Sequence, residues 1–281
     1  MGSWTNASAP PTATTAGVLR PEELARYVAL RRWPVSPALE PWVENLWGLR
    51  WALPPDLVHV SSVLPHPACN VTVERGVDRA GLGEGAVVTG VVTRRFDTEV
   101  RGSGWVLGAK LRPGGLRALV GVRADTLRDR TVAAADVLPG DVVAELERLG
   151  PDGDDDAQAE RLDAALAALA GEPDPEHQVV LDVVATMLRD RSLLRVDQVE
   201  QACGLGRRRL QRLFAEYVGV GPKWVLARYR MHDVVTALDE GYAGSLADLA
   251  AAHGWFDQAH FTRDFTRLVG ESPTRYRDRR R

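Results

Sequence analysis

Two stretches of the chain, LGRRRLQRLFAEYVGVGP (residues 205–222) and FDQAHFTRDFTRLVGESP (residues 256–273), align with each other at an offset of 51 residues. The aligned pairs include Leu210 with Phe261, Phe214 with Phe265, and Arg212 with Arg263. Each copy has the pattern of a short helix, a turn, a second helix and a stop made by Gly and Pro. An internal repeat of this kind predicts a duplicated helix–turn–helix unit.

The second helix of each copy divides into two faces at about 100° per residue. Its apolar side carries Leu210, Phe214 and Tyr217 in the first copy and Phe261, Phe265 and Leu268 in the second. Its outer side carries Arg208, Gln211, Arg212 and Ala215 in the first copy and Ala259, Thr262, Arg263 and Thr266 in the second. Asp257 is a good N-cap for the second of these helices, whereas its counterpart Gly206 is a weaker one.

The connector between the two copies is also helical in pattern. Pro222 stands where a helix can begin and Gly241 where it can end, and the residues between them make about five turns. A rigid helix of this length predicts a fixed spacing between the two units. Two recognition helices about 34 Å apart can enter successive major grooves on one face of B-DNA.

The outer faces carry the residue types that read base edges. Arginine donates two parallel hydrogen bonds to guanine, glutamine does the equivalent for adenine, and small or methyl-bearing side chains contact the thymine methyl. Exposed arginines also often serve only as a solvated surface, but the repetition of the pattern favours base reading. The predicted base-contacting residues are Arg208, Gln211, Arg212, Gln258, Ala259, His260, Thr262 and Arg263. The predicted phosphate-contacting residues are Arg207, Arg209, Lys223, Arg275 and Arg277.

The carboxy-terminal part resembles the AraC/XylS family of transcription regulators. The stretches VEQACGLGRRRLQRLFAEYVGVGPKWVLARYRMH (residues 199–232) and LADLAAAHGWFDQAHFTRDFTRLVGESPTRYR (residues 246–277) carry this resemblance, which covers residues 177–277. It implies a seven-helix DNA-binding domain, with base contacts at Arg208, Gln211, Arg212, Gln258, Ala259, His260 and Arg263. The sequence departs from the family at Gly206, where a serine is common, and this departure bears on the phosphate contact of the first unit.

The amino-terminal part has a strand pattern. Short runs with alternating and β-branched residues, HVSSVLP, CNVTVERG, GAVVTGVV and GWVLGAKLRPGG, are separated by Gly and Pro and predict a small antiparallel barrel or sandwich. The stretch LGAKLRPGGLRALVGVRADTLRDRTVAAADVLPG (residues 107–140) resembles a regulatory domain of some family members, which implies a cupin-like barrel with added helices. The expected fold class is therefore α+β. We predict a disordered tail at residues 1–17, a regulatory domain at 18–171 and a DNA-binding domain at 172–281.

Composition restricts the class of protein. The 281 residues are 45% hydrophobic and 26% charged, which is ordinary for a globular protein, and the net charge of −3 neither favours nor excludes nucleic acid as a partner. No apolar run approaches the ~18 residues of a membrane helix, and the first residues lack the pattern of a signal peptide. Two cysteines are too few for a disulfide framework. These features predict a cytoplasmic protein that is not in a membrane.

A small-molecule pocket is predicted in the amino-terminal part, where most of the tryptophans lie. Trp42, Trp47, Trp51 and Trp105 are candidates for its lining, with core packing or dimer contact as the alternative. His59, His66 and Cys69 suggest a metal at first sight, but the His-x-His pair typical of cupin metal sites is missing. We therefore expect neither a metal nor a cofactor.

The sequence thus predicts a sequence-specific transcriptional regulator whose amino-terminal domain senses a small molecule or forms a dimer. Double-stranded promoter DNA is the expected partner, an unknown small-molecule effector a further one, and contact with RNA polymerase and homodimer formation stay open. The alternative is a DNA-binding module fused to an enzyme, such as a DNA-repair alkyl acceptor, or to a protein-interaction domain. An acceptor would need an activated cysteine, and only Cys69 is available, without a surrounding cluster. We therefore expect no enzymatic activity.

Overall fold

The computed structural model describes residues 17–279, so the predicted tail at residues 1–17 lies outside the described part apart from Gly17. The strands of this part are β1 (Val18–Leu19), β2 (Val28–Trp33), β3 (Val43–Ala52), β4 (His59–Val63), β5 (Asn70–Arg75), β6 (Gly85–Thr89), β7 (Phe96–Val100), β8 (Ser103–Leu111) and β9 (Thr131–Ala133). The four predicted runs correspond to β4, β5, β6 and β8, whereas the other strands, among them β9 at Thr131–Ala133, were not predicted.

The strands form two antiparallel sheets. The larger sheet has the order β2-β3-β8-β5-β6-β9, and the smaller one has the order β1-β4-β7. The predicted β-rich fold is confirmed, but within residues 17–279 no strand pairing joins the two sheets, so the expected barrel is not closed. The reason is that β5 pairs with β6 and β8, while β4 pairs with β7 and β1. The two sheets face each other and leave a space between them.

The helices follow the sheets for the most part. They are α1 (Pro21–Leu24), α2 (Gly115–Val120), α3 (Gly140–Glu147), α4 (Asp155–Ala167), α5 (Pro175–Arg189), α6 (Val196–Cys203), α7 (Arg207–Leu213), α8 (Pro222–Asp239), α9 (Leu246–Ala252), α10 (Gln258–Val269) and α11 (Pro273–Asp278). From α5 onward the described chain has the seven helices that the family resemblance implies. None of the described helices has the length and apolar character that crossing a membrane requires.

Two helix–turn–helix units, α6–α7 and α9–α10, are joined by α8, as the repeat predicts. The connector α8 has 18 residues, which corresponds to about 27 Å of helix. The N-cap prediction is also confirmed, because the Asp257 carboxylate accepts a hydrogen bond from the His260 backbone N–H at 2.7 Å. Gly206 supplies no side-chain cap to α7.

The two copies differ in one respect that the repeat does not predict. The second copy is a regular α-helix from 258 to 269, whereas in the first copy α7 ends at Leu213 and continues as a π-helix, Phe214–Val218. Within this π-helix Tyr217 donates a hydrogen bond to the Asp174 carboxylate at 2.5 Å, ahead of α5. The tertiary contact is made where the first copy departs from the second.

The first unit shares its core with the amino-terminal sheets. One cluster of buried residues contains Leu107 and Leu116 of the amino-terminal part together with Leu210 and Phe214 of the first unit. The second unit has its own cluster, built around Phe261, Phe265 and Trp255, which also takes in Leu19 and Leu64. The division of the chain at residue 172 stays a prediction, and the packing does not separate at that point.

Hydrogen bonds also connect the amino-terminal part to the helices. His177 of α5 is bonded to the Pro113 carbonyl at 3.1 Å, and His232 of α8 is bonded to the Pro65 carbonyl at 3.0 Å. Arg95 donates to the Val269 carbonyl at 2.9 Å, at the end of α10. These contacts tie α5, α8 and α10 to the amino-terminal part.

Candidate nucleic-acid interface and ligand cavity

The outer face of α7 points to solvent. Arg208, Gln211 and Arg212 are exposed, and so are Arg207 and Arg209 on either side of them. Leu210 and Leu213, which lie between them in the sequence, are fully buried and hold the helix on the core. The structure therefore places the three predicted base-contacting residues of the first unit on one accessible surface.

Among the predicted base-contacting residues of α7, Arg212 is bonded to other side chains of the protein. Its guanidinium donates to both carboxylate oxygens of Glu176, at 2.8 and 3.2 Å, and to Glu216 at 3.4 Å. Hydrogen bonding to Arg212 lowers the pKa of Glu176. Glu216 also pairs with Arg123 of the amino-terminal part at 3.0 Å. We call the group Glu176, Arg212, Glu216 and Arg123 the acidic latch.

The outer face of α10 is more open. Gln258, Ala259, His260 and Arg263 are exposed, and Thr262 is half-buried. His260 lies 3.2 Å from Asp264, whereas the Arg263 side chain makes no ion pair or hydrogen bond with another residue between 17 and 279. The guanidinium that aligns with Arg212 in the repeat is thus available for a ligand.

The predicted phosphate-contacting residues are less uniform. Arg209 and Lys223 are exposed, Arg207 pairs with Glu200 at 3.4 Å, and Arg275 is exposed beside Glu271 at 3.7 Å. Arg277 is half-buried and donates to the Gly244 carbonyl at 3.3 Å, so its guanidinium is committed to a loop of the protein.

Phe256 is an exposed aromatic residue beside α10 that the sequence analysis did not single out. Its side chain is 95% exposed and directly precedes the N-cap of α10. The sequence did contain an indication of this exposure. Phe256 lies between the core residue Trp255 and the cap Asp257, outside the apolar spacing that places side chains in the core.

A cavity of about 510 Å³ fills the space between the two sheets. Trp47 and Trp51 line it, as predicted. Trp42 and Trp105 do not, which corrects the prediction for these two residues. Trp105 lies on the other face of the large sheet, where its Nε1 donates to Asp155 at the start of α4 at 3.1 Å, and Trp42 is buried in the core shared with the helices.

The cavity is apolar along most of its wall and charged at several points. Glu74, which is buried, accepts a hydrogen bond from Arg79 at 2.6 Å, while its other carboxylate oxygen has no partner within the described chain. Lys110 pairs with Glu44 at 3.0 Å. His66 also lines the cavity, and burial is the largest of the effects that hold its pKa well below the usual value. The lining suits a molecule with an apolar body and a few polar groups.

The residues considered for a metal do not form a site. Within residues 17–279 no group of three or more His, Cys, Asp or Glu side chains has the arrangement that holds a metal ion. The pKa of the Cys69 thiol is raised to about 12 because the side chain is buried. At neutral pH the group is therefore a thiol, which is a poor nucleophile.

Two recognition helices with exposed arginines at equivalent positions, joined by one helix, define a helix–turn–helix DNA-binding protein. Residues 199–279 match the family model described as a helix-turn-helix domain, and residues 31–133 match a domain of unknown function (DUF6597). The chain is a DNA-binding transcriptional regulator with a carboxy-terminal helix-turn-helix domain.

The chain is similar to several known proteins. The chain is 25% identical to a probable transcription factor, PqrA of Proteus vulgaris, over 99 residues, which are 35% of this chain and 80% of that protein. Among solved structures, an AraC-type transcriptional regulator from Chromobacterium violaceum is 23% identical, covering 37% of this chain and 92% of that one, with a TM-score of 0.34. ToxT from Vibrio cholerae O395 is 9% identical, covering 90% of this chain and 98% of that one, with a TM-score of 0.41.

Proposed function

We propose that the protein reads a specific promoter sequence with the exposed faces of α7 and α10. The observation that carries this proposal is the exposure of Arg212 and Arg263 at equivalent positions of two repeated units. The bases are contacted from the first unit by Arg208, Gln211 and Arg212, and from the second by Gln258, Ala259, His260, Thr262 and Arg263. Backbone phosphates are contacted by Arg207, Arg209, Lys223 and Arg275. Arg277 has the weakest support of the phosphate set because its guanidinium holds a loop.

DNase footprinting with the full-length protein tests this proposal and identifies the operator. Two adjacent major grooves correspond to protection over about two helical turns, with contacts repeating every ~10 base pairs on one face of the duplex. Protection of a single turn, or of random sequence to the same degree, would contradict reading by two units.

We propose further that the cavity between the sheets binds a small effector. The apolar wall and the unpartnered oxygen of Glu74 support a molecule that has an apolar body and at least one hydrogen-bond donor. Unsaturated fatty acid is named as bound to ToxT in one of the solved structures. Because the sheets share a core with the first unit, occupation of the cavity can favour one arrangement of the reading helices.

Cavity blocking tests the effector proposal. Native mass spectrometry of the purified protein, followed by extraction and identification of any bound molecule, supplies the ligand. Leu49 lines the cavity, so Leu49→Trp should fill it and abolish binding of the extracted ligand. Leu82→Trp changes an exposed side chain that does not line the cavity, so this control variant should still bind the ligand. Equal binding by both variants would rule out this cavity as the site.

Catalysis is no part of the proposed function. A DNA-repair acceptor needs an activated thiolate, whereas the raised pKa of Cys69 keeps this side chain a protonated, poorly nucleophilic thiol. Mass spectrometry after incubation with alkylated DNA tests the point, and a mass gain on Cys69 would restore the enzyme alternative. Homodimer formation and contact with RNA polymerase are further proposals, which light scattering and pull-down of the purified polymerase test.

A further inference from the structure

A second cavity, of about 650 Å³, lies between the amino-terminal part and the helices. We call it the interdomain cleft. Its walls come from the loop at residues 93–94, the turn at residues 128–129, the first part of α8 and the inner side of α10. It shares no lining residue with the cavity between the sheets, so it is a separate site.

A buried arginine with unused donors lies in the interdomain cleft. Arg228 of α8 is only 5% exposed, and its guanidinium stacks on the Trp224 ring at 4.5 Å. Nη2 donates to the Thr93 carbonyl at 3.3 Å, but Nε and Nη1 have no hydrogen-bond partner within the described chain. Burial, with a further contribution from Arg267, lowers the pKa of Arg228 to about 10, so the group is still a cation at neutral pH. Buried charged donors are nearly always satisfied, and here an acceptor is missing.

The remaining charges of the interdomain cleft do not supply that acceptor. Both of its carboxylates are already used. Asp129 accepts from the Thr93 backbone N–H at 2.6 Å and from its hydroxyl at 2.9 Å, and Asp264 accepts from Trp255 Nε1 at 3.1 Å and from Arg267 at 2.9 Å. The other charged residues of the lining are five arginines, namely Arg94, Arg128, Arg228, Arg230 and Arg267.

The mouth of the interdomain cleft is open and positive. Arg94 and Arg128 are exposed, and neither makes an ion pair or a hydrogen bond through its side chain with another residue between 17 and 279. Arg230, deeper in the cleft, donates to the carbonyls of His253 and Gly254, and its Nε has no partner within the described chain. A pocket with free guanidinium donors at its mouth and in its wall is suited to carboxylate and phosphate groups, which arginine binds with paired hydrogen bonds.

We propose that the interdomain cleft binds a small organic anion through a phosphate or carboxylate group held by Arg228, with Arg94 and Arg128 closing on it from the mouth. The ligand would touch the amino-terminal part, the connector α8 and the recognition helix α10 at once. It would therefore stabilise one position of the second reading unit relative to the sheets. By linkage, the affinity for this anion and the affinity for operator DNA depend on each other.

Isothermal titration calorimetry on the full-length protein tests the site with three probes, namely inorganic phosphate, pyrophosphate and citrate, at constant ionic strength. The test variant is Arg94→Ala/Arg128→Ala, which changes two exposed side chains and leaves the buried Arg228 in place. The matched control is Arg161→Ala/Arg189→Ala, which removes the same charge from exposed arginines that do not line the cleft. Arg228→Gln is a second test variant, used with circular dichroism as a check on folding.

We expect pyrophosphate or citrate to bind saturably, with a Kd that is raised about tenfold or more in Arg94→Ala/Arg128→Ala and is nearly unchanged in the control. Tighter binding of pyrophosphate than citrate assigns a phosphorylated ligand, and the reverse order assigns a polycarboxylate. Absence of saturable binding at millimolar concentrations of all three probes would overturn the proposal, and so would equal loss in the two double variants. A loss of DNA affinity in Arg94→Ala/Arg128→Ala without any probe, greater than in the control, would show that these arginines contact the DNA backbone instead.

Discussion

The contacts of Arg212 within the acidic latch should compete with DNA binding by the first unit. In the free protein Arg212 is bound to Glu176 at 2.8 and 3.2 Å, yet the proposed function requires the same guanidinium to donate to a guanine. Binding to DNA must therefore break these contacts. Glu176→Gln removes the negative charge while keeping the size of the side chain, and we expect it to strengthen operator binding.

The magnitude follows from the exposure of the pair. The Arg212 and Glu176 side chains are 46% and 37% exposed, so water and salt screen the attraction between them. An exposed pair of this kind corresponds to a factor of about two to five in an equilibrium constant. The gain should shrink as the salt concentration rises.

Fluorescence anisotropy with the footprinted operator measures this effect, and two controls isolate it. Glu172→Gln makes the same change at an exposed carboxylate that has no partner within the described residues, so it corrects for the general effect of a lost negative charge near DNA. Glu176→Gln in an Arg212→Ala background should have no more effect than Glu172→Gln. The reasoning is refuted if Glu176→Gln leaves the affinity unchanged, or if it raises the affinity equally with and without Arg212.

Two further predictions concern stability. Phe265 is fully buried against Phe261 and Tyr276, so Phe265→Ala should lower the free energy of unfolding by ~3–5 kcal/mol in urea melts. The same change at the exposed Phe256 should cost almost nothing, and similar losses at both positions would contradict the described core. Burial lowers the pKa of His232 to about 3, below the ~6.5 of an unfolded chain. Its contribution to the free energy of unfolding is therefore complete above pH ~6.5. That contribution is lost as the pH falls toward 3, by up to ~1.4 kcal/mol per pH unit. His232→Gln should therefore lose less stability than the wild type between pH 7 and pH 5, and an equal loss would show that His232 does not titrate in this way.

The reading units were predictable because their signals are local. The spacing of Phe261, Phe265 and Leu268 places three apolar side chains on one face of α10, and all three are buried. The cap at Asp257 follows from the residue type and its position. The alignment of the two copies then predicts that the first copy is also a helix–turn–helix unit.

What could not be predicted depends on contacts between distant parts of the chain. Within the acidic latch Glu176 and Arg212 are 36 positions apart and Arg123 and Glu216 are 93 positions apart, and helical periodicity contains no information about such pairs. The π-helix at Phe214–Val218 accompanies a contact with Asp174, which the second copy of the repeat lacks. Trp105 lies on the opposite face of its sheet from Trp47 and Trp51, and only the register of β3 and β8 determines which tryptophans share the cavity.

The base preferences of two single variants test the central claim most directly. Selection of bound sequences from a random DNA library, carried out with the wild type, Arg212→Ala and Arg263→Ala, measures the preference at every position of the site. Reading by two units predicts that each variant loses the preference at its own position, with ~1–3 kcal/mol of discrimination lost for Arg263→Ala, and that the two positions lie about one helical turn apart. Equal weakening on selected and random DNA, with every base preference retained, would show that the two arginines contact only phosphates and would contradict the account.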